Sequence, residues 1–376
     1  MGSRYYKRVR DAGPTRFAVR AVTLAVAIVS GFTPSEQAAP APPAPGLEVL
    51  WQTPVSVPGV PHMVAGDALI FLVSSEAPLS ARAPVDGRSL WSSTLPSTLR
   101  PGIAGAHIGV VSNEMLHVLH QETGAVAWTI AVAATASAVF SFGKQFGVID
   151  GAEMRAFTAA GTPGWRTALP GAPTTRVISR DGTLFVGVME LPATPWLVAL
   201  DESTGALRWR IPLAARAESL SATDDRLYLS GADASLYAYR TTGQSGHAWR
   251  RALVGAIGDA LADDRQVYFA LLDNSVRGFE RTGGAQRWDT PQAARPITGP
   301  LRVGSNLAIA LTTGAVVELN PRDGRIVSPK APLTVPAVRL QRAVTSADGT
   351  RVFALTIASN QSQTLTAWGH PPPAKR

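Results

Sequence analysis

The 376 residues are 45% hydrophobic and 16% charged, which excludes a disordered chain, and the 34 glycines and 29 prolines favour short elements joined by turns over long helices. No cysteine is present, which excludes a disulfide framework, a thiolate zinc site, an iron–sulfur cluster, a thiol nucleophile and lipidation on cysteine. Within the net charge of +8, six basic residues against one acid fall in the first 20 positions, and the small, dispersed remainder is not the basic stripe that a nucleic acid demands.

The basic lead (Arg4, Lys7, Arg8, Arg10, Arg16, Arg20) runs into an uncharged apolar stretch at 21–32 that closes on the small residues Ser30 and Gly31. A membrane-spanning helix needs about 20 residues, whereas the apolar region of a signal peptide needs roughly 7–15. Residues 1–32 are therefore predicted to be a signal peptide or, if uncleaved, an N-terminal membrane anchor. The charge asymmetry keeps residues 1–16 cytoplasmic and sends the rest across the membrane. The chain is thus expected to be exported and periplasmic or otherwise extracytoplasmic, tethered to the inner membrane through 17–32 if the leader stays on. Residues 33–46 read as an Ala/Pro-rich linker in extended geometry. Residues 370–376, with Pro371, Pro372 and Pro373, read as a disordered tail.

Between these ends, over 47–369, the chain repeats. The plainest copy is Val198-Ala-Leu-Asp-Glu-Ser-Thr-Gly-Ala-Leu-Arg-Trp209, matched in register by 117–128 and, with one extra glycine, by 277–288. Weaker copies end at Trp91, Trp165 and Trp249; Ser328 stands at an eighth marker position, and Trp51 is a copy whose upstream half is missing. The markers 51, 91, 128, 165, 209, 249, 288 and 328 recur about every 40 residues, a period that means a solenoid, propeller or array. Each unit reads as short alternating strands with a Gly/Asp turn. Glycine suits a hairpin position at positive φ, and Asp or Thr can bond a turn amide. Four strands in about 40 residues make a propeller blade.

Eight three-strand sets occur near 58–85, 100–122, 137–160, 171–203, 217–241, 256–281, 296–322 and 338–368. The last set has no marker strand after it, and the strand around Trp51 has no set before it. They complete each other, so an all-β, eight-bladed propeller of four-stranded antiparallel blades, closed by the N-terminal strand, is predicted, with no unpaired edge left open. Trp51, Trp91, Trp128, Trp165, Trp209, Trp249 and Trp288 are its structural repeat residues, and those from Trp91 to Trp288 are expected to be largely buried between blades.

The pattern Ala199-Leu200-Asp201-x-x-Thr204-Gly205-x-x-x-Trp209 resembles the tryptophan-docking repeat of the pyrroloquinoline-quinone (PQQ)-type β-propellers. In length and layout the chain is similar to the eight-bladed branch of that family that serves outer-membrane protein assembly. The resemblance implies a scaffold with protein partners in the cell envelope. In the family's quinoprotein dehydrogenases it implies instead a bound quinone, a calcium ion, an adjacent cysteine pair and a longer chain with large inter-blade insertions. Here there is no cysteine, and the units stay between 37 and 44 residues. A non-catalytic binding scaffold without cofactor, most simply a monomeric propeller, is thus the leading reading, with a PQQ-dependent quinoprotein-type oxidoreductase as the alternative.

No catalytic or metal constellation emerges from the residues. His117 and His120 are the closest pair of histidines, but three residues apart on a strand they point to opposite faces. His62, His107, His247 and His370 are isolated in sequence. Asp201-Glu202, Asp224-Asp225 and Asp263-Asp264 read as turn chemistry. Two features depart from the repeat. Residues 189–196 form an inserted loop with the off-register Trp196, a candidate partner contact. Arg208 and Arg210 flank Trp209, and Arg250 and Arg251 follow Trp249, as strand charges expected to be solvated.

Overall fold

A computed structural model describes residues 46–327 and 338–371, and all regular elements there are β-strands. The described residues fall in one unit, Pro45–Arg376. The leader 1–32, the linker up to residue 45, the marker Ser328 and the tail from residue 372 lie outside them.

The strands pair antiparallel into eight sheets in chain order, the eight blades of a β-propeller. Blade 1 is typical: His62–Ala65 lines the ring centre, followed outward by Ile70–Val73, Pro78–Arg82 and Ser89–Pro96. Burial follows position. Ile70–Val73 is buried at every residue, whereas Ser89–Pro96 alternates exposed and half-buried residues. A middle strand packs on both faces and so reads as a continuous apolar run, while an outer strand meets water on one side. Blade 7 has three named strands, from Leu301–Val303 to Val316–Leu319, and its fourth position is marked by the bridge from Leu319 to Ile326. In blade 4 two short strands, Ala172–Pro173 and Ile178–Arg180, share the innermost place beside Thr183–Glu190.

The core lies between blades. Leu184, Val186 and Val188 face blade 3 and meet Phe140, Phe142 and Ile149, while Phe185 on the same strand faces blade 5 and meets Leu227 and Tyr237. One strand's alternation therefore feeds two interfaces, and each of the eight interfaces has its own apolar cluster.

Each docking tryptophan clasps the next blade. The indole N–H donates across the interface to a turn carbonyl at 2.8–3.0 Å: Trp51 to Pro84, Trp91 to Gln121, Trp128 to Ala159, Trp165 to Glu202, Trp249 to Arg281 and Trp288 to Pro321. The ring covers the turn glycine. At Gly205 (φ +69°) a Cβ would lie 2.4 Å from Cε3 of Trp165, so the glycine supplies both a left-handed backbone and a flat seat for the ring. The same seating recurs from Gly87 under Trp51 to Gly324 under Trp288. A threonine two residues on adds a second bond: Thr53, Thr167 and Thr290 donate to Asp86, Gly205 and Gly324 carbonyls at 2.7–2.8 Å.

The expected burial of the tryptophans needs correction. Trp249 and Trp288 are buried, at 5% and 8% exposure, but Trp91, Trp128, Trp165 and Trp209, like Trp51, are only half-buried. All seven sit on the outermost strand of a blade, where a ring seated on the next blade's turn can still meet water.

The closing strand Glu48–Val55 pairs with Gln363–Gly369 from Val55↔Gln363 to Glu48↔Gly369, with a bulge between Val49 and Trp51, so Trp51 belongs to blade 8. Two polar clasps hold the seam. The Gln363 amide accepts from Val57 N–H and donates to Val57 C=O at 2.6 and 3.0 Å. The fully buried Glu318 of blade 7 accepts from Leu47 N–H (3.1 Å) and Asn306 Nδ2 (2.7 Å) and lies 3.0 Å from His370 Nε2. His370, assigned by sequence to the tail, is thus bound to the ring, because the buried carboxylate offers it a partner.

Candidate functional site

Antiparallel order sorts the connections onto two faces. Turns from first to second and from third to fourth strand lie on one face, here the turn face. Turns from second to third strand and the links to the next blade lie on the other, the link face. The turn face is self-satisfied. Asp201 accepts from the Ser203 and Thr204 amides and hydroxyls, and its other oxygen takes Arg208 Nη2 at 2.7 Å. The Ser203 hydroxyl first, then Arg208 and Thr204, hold its carboxyl well below the usual range. Asp224 pairs with Arg180, Asp225 with Arg226 and Arg281, and Asp263 caps the Arg265 and Gln266 amides. The paired acids are turn chemistry, as the sequence suggested.

The link face is less regular. It carries Val60, Val254 and Leu272 as exposed apolar residues and, on blade 4, a hairpin of two eight-residue strands, Thr183–Glu190 and Thr194–Asp201. Residues 189–196 are therefore a hairpin end, not the expected loop: Met189 pairs with Pro195 and Val188 with Trp196, because added residues extend an antiparallel ladder more readily than they leave amides unpaired. Leu191 at its tip is 87% exposed. Trp196 lies on the second strand, half-buried against the blade 3–4 core. Its indole donates to Glu190 Oε2 at 2.6 Å, and the Arg210 guanidinium lies 4.6 Å from its ring centroid. The arginines beside the repeat tryptophans are engaged rather than merely solvated: Arg208 on Asp201, Arg210 on Trp196, Arg250 on Asp233, and Arg251 on the Gly283 and Gly284 carbonyls.

His117 and His120 do diverge. His117 Nδ1 meets Thr129 Oγ1 at 3.2 Å, and His120 packs on His107 across the strand pair, ring centroids 4.8 Å apart. Burial first, and then His120, lowers the His107 pKa.

At the ring centre, residues from seven blades line a cavity of about 570 Å³, including Arg100, Phe140, Arg176, Asp259 and Thr345. Arg100 precedes the inner strand Gly102–Ala104, and Arg176 projects from the break between the two short inner strands of blade 4, which places both toward the link face. Arg176 pairs with Asp259. Its pKa is pushed down to about 10 by burial and then by Arg100. Arg100 is lowered by burial and then by Arg342. His62 is lowered chiefly by burial, against its bond to the Thr98 carbonyl, with Arg342 and Arg100 adding to the shift. These four side chains form one electrostatic group at the channel mouth.

The family model described as outer membrane protein assembly factor BamB matches residues 150–248 and 244–370, more than half of the sequence. The chain belongs to this family of PQQ-type β-propellers. No curated protein matches the sequence at a significant level. Among solved structures, BamB from Moraxella catarrhalis is similar with a TM-score of 0.65 at 17% identity, covering 88% of this chain and 99% of that one. The quinohemoprotein alcohol dehydrogenase ADHIIG from Pseudomonas putida HK5 is similar with a TM-score of 0.61 at 12% identity, covering 88% and 78%. The computationally designed Ika8 protein gives 0.67 at 8% identity over 85% and 99%. At these identities the likeness is one of fold.

The calcium site of the dehydrogenases does not fit this BamB-family ring. Calcium takes six to eight oxygen ligands, with carboxylates prominent. The single carboxylate lining the cavity, Asp259, is held by Arg176. Among the described residues no three His, Asp or Glu side chains converge.

Sequence reading missed the arginine group, because Arg100, Arg176 and Arg342 lie in three different blades. Superposing the eight units would have placed all three at or beside the innermost strand. It also missed the Thr53, Thr167 and Thr290 clasps, legible as Trp-x-Thr.

Proposed function

We propose that this protein is a non-catalytic binding scaffold of the cell envelope that acts in outer-membrane protein assembly. The match to the BamB family over 150–370 carries the reading. The basic, apolar leader at 1–32 supports export. With no cysteine for a lipid, attachment runs through an uncleaved leader or through partners. Partners bind on the link face, where the Leu191 tip, Val254 and Leu272 are exposed; apolar groups presented on rigid elements contact a partner at low ordering cost. Trp196 acts there by bracing the hairpin with Glu190 and Arg210. A propeller of two broad faces does this as a monomer, without nucleic acid and without cofactor.

Affinity purification of a tagged chain from envelope extracts, beside Leu191→Ser and Trp196→Ala variants, tests the reading. Assembly components are expected with the parent, and fewer with Leu191→Ser. Undiminished recovery with both variants would discard the hairpin as the contact. The second reading, a quinoprotein-type oxidoreductase, is favoured by the likeness to the alcohol dehydrogenase. Dye reduction by the purified chain supplied with calcium and the quinone would establish it and refute the scaffold reading. Mass spectrometry of the N-terminus separates a cleaved leader from an anchor.

A further inference from the structure

We propose that the link-face mouth of the central channel binds a small molecule bearing a doubly charged oxyanion, phosphoryl or dicarboxylate, on Arg100, Arg176 and Arg342. About half of the arginines among the described residues pair with carboxylates, among them Arg208 with Asp201, Arg250 with Asp233, and Arg277 with both Asp273 and Asp289. Position sets the mouth apart: Arg100 and Arg176 line one cavity. Among the described residues no carboxylate pairs with Arg100 or Arg342, and the Arg342 guanidinium donates to the neighbouring Gln341 carbonyl at 2.9 Å. Asp259 is taken by Arg176, and Glu218, beside them, by Arg216 at 3.1 Å. Arg100 and Arg176 line the cavity with one carboxylate, Asp259, and Arg342, next to the lining residue Ala343, is near enough to act on Arg100, so positive charge is in excess there.

The environment makes those charges matter. The cavity of about 570 Å³ falls within the roughly 300–1,000 Å³ of small-molecule sites. Arg100 and Arg176 keep contact with channel water, and their lowered pKa values report partial desolvation first and then the neighbouring arginine. Guanidinium forks match the oxygens of phosphate and carboxylate in paired bonds, and the Ser137, Ser141 and Thr298 hydroxyls lie on the same lining. An anion seated here relieves the repulsion that the fold otherwise carries. A bulky acidic polypeptide would have to enter a channel walled on seven sides, so a small anion is the better fit.

The proposal is independent of the partner reading, because it is tested on the purified full-length chain alone. Inorganic phosphate, glycerol phosphate, succinate and chloride would be titrated at fixed ionic strength, with binding followed by calorimetry and by melting temperature. A dianion is expected to bind and raise the melting temperature while chloride does neither. Stronger binding of the two phosphates identifies a phosphoryl ligand, and stronger binding of succinate a dicarboxylate. The Arg100→Gln/Arg342→Gln double variant should lose at least tenfold in affinity, yet melt no lower than the parent without anion, since it removes repulsion. Arg88→Gln, on the exposed turn-face pair with Asp86, should bind as the parent does. Arg100→Lys, which keeps the charge but not the fork, should give a smaller loss, and it serves if the double variant does not fold. Equal response to chloride and dianions, or parental affinity in both the double variant and Arg100→Lys, would overturn the proposal.

Discussion

The turn face and the link face are built from the same eight blades, yet the repeated clasp lies on the turn face alone. On the turn face the repeat residues are turned inward on the ring, indoles on carbonyls, threonines on the same turns, Asp201 on its own loop and on Arg208, while Val85 in the first of these turns stays exposed. On the link face, Leu191, Val254 and Leu272 are exposed, and two arginines at the channel mouth lack a carboxylate partner among the described residues. The difference separates what holds the propeller from what it can offer to another molecule, and it predicts that damage to one face is felt as stability and damage to the other as binding.

The sharpest test is Glu318→Ala at the turn-face seam. Removing a buried carboxylate that serves Leu47, Asn306 and His370 should cost about 3–5 kcal/mol, read as a large fall in the denaturant midpoint. Gly205→Ala comes next. Its methyl would strike the Trp165 ring at a backbone position with positive φ. The left-handed penalty of about 1–2 kcal/mol plus the displaced indole should lower the melting temperature clearly. An effect no larger than that of an average surface substitution would break the account of the seat.

The acid limb of stability should belong mostly to the turn face, with Asp233 of the link face, lowered against its burial by bonds from Tyr237, Ser235 and Arg250, adding to it. Asp201, Asp224 and Asp348 have lowered folded-state pKa values, through Ser203 and Arg208, through Arg180, and through Ser346 and the Thr350 amide respectively. Their contribution is therefore present above the unfolded value of about 4 and lost as the pH falls through the lowered ones. Melting temperature should be level from neutral pH down to about 5 and fall below that, less steeply in Asp201→Asn. The smallest expected effect on folding is at the link face. Leu191→Ser should stay within about 0.5 kcal/mol of the parent while reducing recovery of envelope partners. Unfolding on that change would erase the contrast between the faces.

The fold was legible because the units state similar local rules: a turn glycine, then in all but the last a tryptophan, at a period near 40. Blade count and ring closure followed from that count alone, and Trp51 pairs where the missing strand required it. Degree of burial was not legible, since a repeat pattern says which blade a ring meets but not how far the rim shields it. Nor was the hairpin end at 189–196, where the off-register Trp196 was read as part of an inserted loop and the ladder nevertheless continues through it. The channel arginines were hidden for a topological reason. A propeller centre is assembled from one strand of every blade, so neighbours there are far apart in sequence.

The pairing of 48–55 with 363–369 also fixes an order of events. The closing strand is among the first parts of the ring to be synthesised, and its partner is the last. Until residue 369 has emerged, the strand around Trp51 has no ladder to join and the final blade shows an open edge of the kind that pairs with other chains. Contacts of such long sequence separation form slowly, so the unclosed ring is the species most open to aggregation or proteolysis. Weakening the seam should thus reduce the amount of protein that accumulates in the cell before it alters anything the finished propeller binds.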